Sequence, residues 1–180
     1  MIKNAMVPFA AFAALIPAAA LAELPVGAHA PAFATQGALA GKPFAFDLKA
    51  ALRKGPVVLY FYPKAFTPGC TLEAHAFAEA SAKFHAAGAT IVGMSNDGLP
   101  ELLKFSVSDC RNKFAVASAN PQIVKTYDVD LVQNGVSTGY TKRTSYVIGR
   151  DGRILLAHSN MDYRDHVKMT LAAVQGLKKK

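Results

Sequence analysis

The sequence predicts one α/β domain: a central mixed β-sheet flanked by helices on both faces, preceded by an N-terminal extension. Three observations carry this. Buried-strand runs alternate with helical periodicity in the order β-α-β-α-β, the signature of a sheet covered on both sides. The run Pro56-Val57-Val58-Leu59-Tyr60-Phe61-Tyr62 is continuously β-branched and aromatic, as in a strand buried on both faces. Asp151-Gly152 stands between two extended runs, a hairpin turn signal.

Taken in order, residues 1–22 hold Lys3, an Ala-rich apolar run and the ending Ala20-Leu21-Ala22. A positive start, a short apolar stretch and small residues at alternate positions predict a secretory signal peptide cleaved after Ala22. Pro8 and Pro17 argue against a membrane-anchoring helix. The mature chain, residues 23–180, is then exported, to the periplasm in a Gram-negative cell, without stable membrane association. Residues 23–56 read as an irregular lead-in with short extended pieces such as Pro43-Phe44-Ala45-Phe46.

Pro63 ends the first strand. From Thr71 to Ala87, Ala74, Phe77, Ala78, Ser81 and Phe84 follow helical spacing, and Gly88 closes the helix. Thr90 to Ser95 is a second buried strand. A second helix is predicted from about Pro100 to Lys113, with Leu103, Val107, Cys110 and Phe114 on its apolar side. Ala115 to Ser118 is a short strand, and Arg143–Ile148 and Arg153–Ala157 form the hairpin. Asp162 caps a last helix with a core stripe through Val167, Leu171 and Val174. This order is that of a thioredoxin-like fold.

The formal charge is +8, yet no Lys/Arg run alternates with aromatics, and the one cluster is Lys178-Lys179-Lys180. A solvated tail accounts for it, and no nucleic-acid partner is expected. His29, His75, His85, His158 and His166 show no ligand-like clustering, so neither metal nor cofactor is assigned.

Two cysteines, Cys70 and Cys110, remain. Cys70 lies where the first strand passes into the first helix, at the carboxyl end of the sheet where α/β sites gather. There the free N–H groups and dipole of the helix start favour an anion, here a thiolate. An attacking thiolate also needs its substrate held in line and donors for the departing oxygen. Thr67, three residues earlier, brings a hydroxyl back to the same pocket, while Pro63 and Pro68 stiffen and shield the loop. Gly69 completes that turn. A fixed cation is the missing part. Thr67 as a mere helix cap, and Glu73 as a first-turn complement to the dipole, are the plainer readings.

The spacing Pro63-x-x-x-Thr67-x-x-Cys70, within Phe61-Tyr62-Pro63-Lys64 and Thr67-Pro68-Gly69-Cys70-Thr71-x-Glu73-Ala74, closely resembles the active-site signature of peroxiredoxins. Among these it is most similar to the bacterioferritin-comigratory/PrxQ group. Gly27-x-x-Ala30-Pro31-x-Phe33 resembles the family's opening segment, and Tyr127-Asp128-Val129 stands where Tyr-Gly-Val is common. Arg143-Thr144-Ser145-Tyr146-Val147-Ile148 resembles the strand bearing the catalytic arginine. The resemblance implies that Arg143 supplies the cation; without it, Arg143 reads as a surface arginine beside Lys142, Arg150 and Arg153. It also implies a hydroperoxide substrate, a thioredoxin-like or other dithiol reductant and a monomer.

Many members of the group carry a resolving cysteine five residues after the first, where this chain has His75. The resemblance to other members gives that role to Cys110, as partner in an intramolecular disulfide after Cys70 becomes a sulfenic acid. Cys110 as a buried inert thiol is the alternative. Two other activities compete. A thioredoxin-like disulfide exchanger lacks its Cys-x-x-Cys here, since Glu73 follows Cys70 by three. A binding domain stapled by a permanent disulfide would leave Thr67 and Arg143 without purpose.

Overall fold

A computed structural model describes residues 23–177; the predicted signal peptide and the Lys178-Lys179-Lys180 tail lie outside the described residues. The strands are β1 (Ala34–Leu39), β2 (Lys42–Asp47), β3 (Val57–Phe61), β4 (Thr90–Ser95), β5 (Ala115–Ser118), β6 (Asp130–Gln133), β7 (Val136–Thr141), β8 (Thr144–Ile148) and β9 (Ile154–Ser159). The helices are α1 (Leu48–Lys54), α2 (Pro68–Ala86), α3 (Leu99–Ser108), α4 (Pro121–Thr126) and α5 (His166–Leu177). Seven strands form one sheet in the order β2-β1-β5-β4-β3-β8-β9, and β6 and β7 make a separate ribbon.

Strand β3 lies near the centre, parallel to β4 and antiparallel to β8. All five of its residues are buried, as its unbroken apolar run requires. Its side chains alternate. Val58 and Tyr60, with Tyr62 just beyond, join the cluster containing Phe77 of α2, Phe105 of α3 and Val174 of α5. Val57, Leu59 and Phe61 face the opposite cluster with Leu48 and Leu52 of α1 and Ile123 and Val124 of α4. Each large apolar side chain so buried contributes about 1.5–3 kcal/mol. The two-faced sheet expected from the sequence is present.

Helix α2 ends as its glycine predicts. Gly88 adopts φ +77°, its N–H donates to the His85 carbonyl, and the Ala89 N–H donates to the Phe84 carbonyl. This paired closure satisfies carbonyls left free at the helix end, and only a residue tolerant of the left-handed region fits there.

Four expectations are corrected. The lead-in is more regular than expected: the extended piece Pro43–Phe46 is indeed β2, but β1 and α1 accompany it, with Asp47 Oδ1 accepting from the Ala50 N–H at 2.7 Å to start that helix. These strands are short and mix in Gly, Pro and Lys, which masks their periodicity, and pairing in the sheet stabilises them. Between Ala119 and Lys142 the chain forms α4 and the β6–β7 ribbon, for which no element was predicted.

The second helix stops at Ser108 rather than near Lys113, because Arg111 and Asn112 turn into the left-handed region at φ +50° and +58°. Its buried residues are Leu102, Phe105 and Ser106, whereas Leu103 is half-buried and Val107 exposed. Cys110 therefore sits in the turn after the helix and not on its stripe. Finally, Asp162 caps a single 3-10 turn, Tyr163–Asp165, and α5 begins at His166. The fully buried face of α5 is His166, Thr170 and Val174, with Val167 and Leu171 packed half-buried beside it.

Candidate active site

Cys70 is the third residue of α2, after Thr67 at the N-cap position, Pro68 and Gly69. Proline suits this first position because its missing N–H has no helical partner to lose. The first bond of the helix runs from the Thr71 N–H to the Thr67 carbonyl at 2.9 Å, so the N–H of Cys70 belongs to the unpaired set at the helix start. Cys70 is buried. Pro63 is half-buried behind the loop, and Pro68 is exposed, so Pro68 shapes the turn rather than covering the sulfur.

The approach loop is held from a neighbouring strand end. The Ala65 N–H donates to Asp97 Oδ2 at 2.7 Å, and the Ser95 hydroxyl donates to the same oxygen at 2.8 Å. Phe66 adopts φ +64° and sets its ring edge-on to Phe105 at 5.3 Å. A bulky residue in that region stores about 1–3 kcal/mol and persists only where its surroundings over-determine it. Asp97 was missed in the sequence because nothing near it in the chain links it to Cys70.

Thr67 stands at the N-cap position but makes no side-chain capping bond; its hydroxyl donates instead to the Lys64 carbonyl at 2.9 Å. With its hydrogen given to Lys64 and no backbone N–H capped, both oxygen lone pairs are left as acceptors.

Arg143, from the connection between β7 and β8, is buried and reaches Cys70. Its Nη2 donates to Cys70 Sγ at 3.5 Å, its Nη1 donates to Glu73 Oε2, and its Nε donates to the Met161 carbonyl at 3.1 Å. The surface-arginine reading is thus excluded. A Cβ on Gly69 would stand 3.4 Å from Nη2, in van der Waals contact with the guanidinium. The neighbouring Thr141 hydroxyl ties this connection to β3 by donating to the Tyr62 carbonyl at 2.7 Å.

Glu73 is fully buried. Burial pushes its carboxyl up to about 8, against the opposing pull of Arg143. Its Oε1 has no hydrogen-bond partner and lies 3.9 Å from Nδ1 of His166. His166, read in the sequence as a surface or packing residue, is fully buried next to this carboxyl, and burial lowers it to about 4. Its place at the start of α5 follows helical spacing with Thr170 and Val174, which is the signal that would have found it.

Cys110 is apart from this cation. Both thiols are free. Burial, aided by the adjacent Asp109, raises the Cys110 thiol well above its ordinary value. Its turn is tied to α2 by Asp109 with His75 at 3.7 Å and Arg111 with Glu79 at 3.4 Å.

The AhpC/TSA family pattern matches residues 26–157, which hold β1 to β8, most of β9 and every residue of this site up to Arg143. The chain is 28% identical to peroxiredoxin Bcp of Bacillus subtilis, over 69% of this chain and 80% of that one. It is 33% identical to the chloroplastic peroxiredoxin Q of Sedum lineare, over 68% and 65% of the two chains. Among solved structures, the peroxidoxin BcpB of Mycobacterium tuberculosis superposes with a TM-score of 0.74 at 29% identity, covering 84% of this chain and 97% of that one. A buried cysteine at a helix start beside a buried arginine, in a sheet of this order and with these relatives, leads to one conclusion: the chain belongs to the AhpC/TSA family and is a peroxiredoxin oxidoreductase.

Proposed function

We propose that Cys70 is the peroxidatic nucleophile of a cycle with hydroperoxide as oxidant and a dithiol protein as reductant. The single observation that carries this reading is the Arg143 guanidinium 3.5 Å from the buried Cys70 Sγ at a helix N-terminus. Positive charge and unpaired N–H groups there stabilise a thiolate. The thiolate attacks the terminal oxygen of R–O–OH; the S–O bond forms as the O–O bond breaks, giving Cys70–SOH and RO⁻. The departing oxygen takes a proton from solvent. Arg143 stabilises charge on the sulfur and then on the leaving oxygen, and Thr67 orients the peroxide as it arrives.

Cys110 then attacks the sulfenic sulfur, releasing water and leaving an intramolecular Cys70–Cys110 disulfide. Cys70 stands at the start of α2 and Cys110 in the turn after α3, both buried and unbonded; in this reading the turn at residues 109–112 moves to bring them together. Two consecutive non-glycine residues there adopt the left-handed region, which loads that turn with strain. A thioredoxin-like or other dithiol reductant restores both thiols by exchange. Export of residues 23–180 as a monomer after cleavage at Ala22 belongs to the same proposal, supported by the pattern of residues 1–22 and the group resemblance.

The test is hydrogen peroxide titration of the reduced protein with thiol counting in wild type, Cys70→Ser and Cys110→Ser. Rapid stoichiometric oxidation that vanishes in Cys70→Ser is expected, with Cys110→Ser stopping at sulfenic acid or overoxidising. Slow, equal thiol loss in all three proteins would remove the proposal.

A further inference from the structure

The reading of Cys70 as nucleophile leaves one buried polar cluster unused: Glu73, His166, Ser145 and His158. Its bonding decides which atoms carry protons. Nε2 of His166 lies 2.9 Å from the Asn160 carbonyl, which only accepts, so Nε2 carries the hydrogen. Nδ1 lies 2.8 Å from the Ser145 hydroxyl, and with the ring neutral it accepts from that group. The ring is kept neutral by burial, with the charge of Arg143 and the nearby His158, 4.6 Å between centroids, acting in the same direction.

The atom facing the unpartnered Oε1 of Glu73 at 3.9 Å is therefore a lone-pair nitrogen and not a donor. An ionised Oε1 would meet another acceptor in a site without exposure, which is costly. A protonated Oε1 would not. The groups facing Glu73 are Arg143 from the β7–β8 connection, His166 from α5, Cys70 one turn earlier on α2, and Tyr60 of β3, whose charge would couple to it. Asp162 acts weakly on His166 in the opposite sense.

Arg143 is shared between two acidic groups, Cys70 and Glu73. If Glu73 is anionic it neutralises the guanidinium; if neutral, the whole charge serves the sulfur. We infer that His166 is a positioning residue for the thiol chemistry: its unprotonated Nδ1, occupied by the Ser145 hydroxyl, offers no N–H to Oε1 and so leaves the proton on Glu73, and Arg143 then directs its charge to the Cys70 thiolate. This rests on Cys70 being the nucleophile. The raised Glu73 carboxyl accords with it.

The test measures the rate of Cys70 oxidation by hydrogen peroxide between pH 6 and 9.5 in wild type, His166→Asn, Glu73→Gln and the double variant, with infrared difference spectra of wild type against Glu73→Gln. His166→Asn sets an amide N–H near Oε1, inviting ionisation. In wild type the rate should fall as pH rises through about 8. In His166→Asn the fall should begin about one pH unit lower, with a rate about twofold smaller at pH 7 and about fivefold smaller at pH 8. Glu73→Gln should show no such fall, and the double variant should match it. The infrared spectrum should contain a protonated-carboxyl band at pH 7 in wild type that His166→Asn reduces to about half. A falling limb unchanged in His166→Asn, a limb that survives in Glu73→Gln, or a missing carboxyl band would each overturn the inference. Should His166→Asn fail to fold, the wild-type band and the Glu73→Gln profile still decide it. Peroxide reactivity that persists in Cys70→Ser would instead break the underlying reading and leave the infrared result standing.

Discussion

Cys70 and Cys110 are both buried and free, and both lie within electrostatic reach of Tyr60 and Tyr62, yet their surroundings differ in sign. Cys70 has a guanidinium at 3.5 Å and the start of a helix of 19 residues beneath it. Cys110 has an acidic neighbour in Asp109, and it follows the end of α3, where the negative end of the helix dipole disfavours an anion. Burial alone disfavours a thiolate, as at Cys110; a fixed cation beside a buried sulfur favours one. The fold thus separates the two chemical tasks of the proposed cycle. One sulfur sits beside a fixed cation at a helix start, and the other is a neutral thiol in a turn that must open in that cycle.

The contrast is broken most directly through Arg143. Arg143→Gln keeps hydrogen-bonding capacity but removes the charge, and the peroxide oxidation rate of Cys70 in stopped flow should drop by about 100-fold or more. A drop under about threefold would mean that the helix start alone distinguishes the thiols. Cys110→Ser should leave that first oxidation within about twofold, since Cys110 touches neither substrate nor Arg143. Mass spectrometry after one equivalent of peroxide should find sulfenic acid on Cys70 and no internal disulfide.

The framework beneath both thiols offers a third probe. Tyr60 stacks on Phe77 at 4.3 Å and lies over Gly93, where a Cβ would come within 2.8 Å of the Tyr60 ring. Gly93→Ala should therefore destabilise the fold by about 1–3 kcal/mol in denaturant unfolding, through overpacking.

Stability should also respond to pH through the Cys70 side of the molecule. Glu73 is raised from 4.5 to about 8, so the folded state binds its proton more tightly than the unfolded chain. Its contribution is complete below about pH 4.5 and is lost as pH rises through about 8. His166 is lowered from 6.5 to about 4, so its contribution is complete above about pH 6.5 and is lost as pH falls through about 4. Between pH 6.5 and 8 the stability of wild type should decline relative to Glu73→Gln; parallel curves would disprove the Glu73 assignment. The smallest effect belongs to the Cys110 side. His75→Ala removes the 3.7 Å contact with Asp109, worth about 0–1 kcal/mol, and should speed disulfide closure after peroxide by a fewfold at most.

What the sequence alone determined is whatever depends on local spacing. The β3 run, the α2 periodicity and the Gly88 closure are each written in consecutive residues, and the structure reproduces them within a few residues. The helix-start setting of Cys70 was legible for the same reason. The lead-in strands, the β6–β7 ribbon and the end of α3 were not. Their residues are weakly periodic, and pairing partners or two left-handed residues decided their form. Arg143 was legible only through resemblance, because it lies 73 residues from Cys70. Asp97 and His166 reach the site the same way, through sheet order and helix packing. Tertiary structure alone decided that Arg143 is shared between Cys70 and Glu73, and that a neutral imidazole faces the other oxygen of that carboxyl. Charge at a buried site is set by every group within a few ångströms, and chain spacing carries no record of distances that only packing creates.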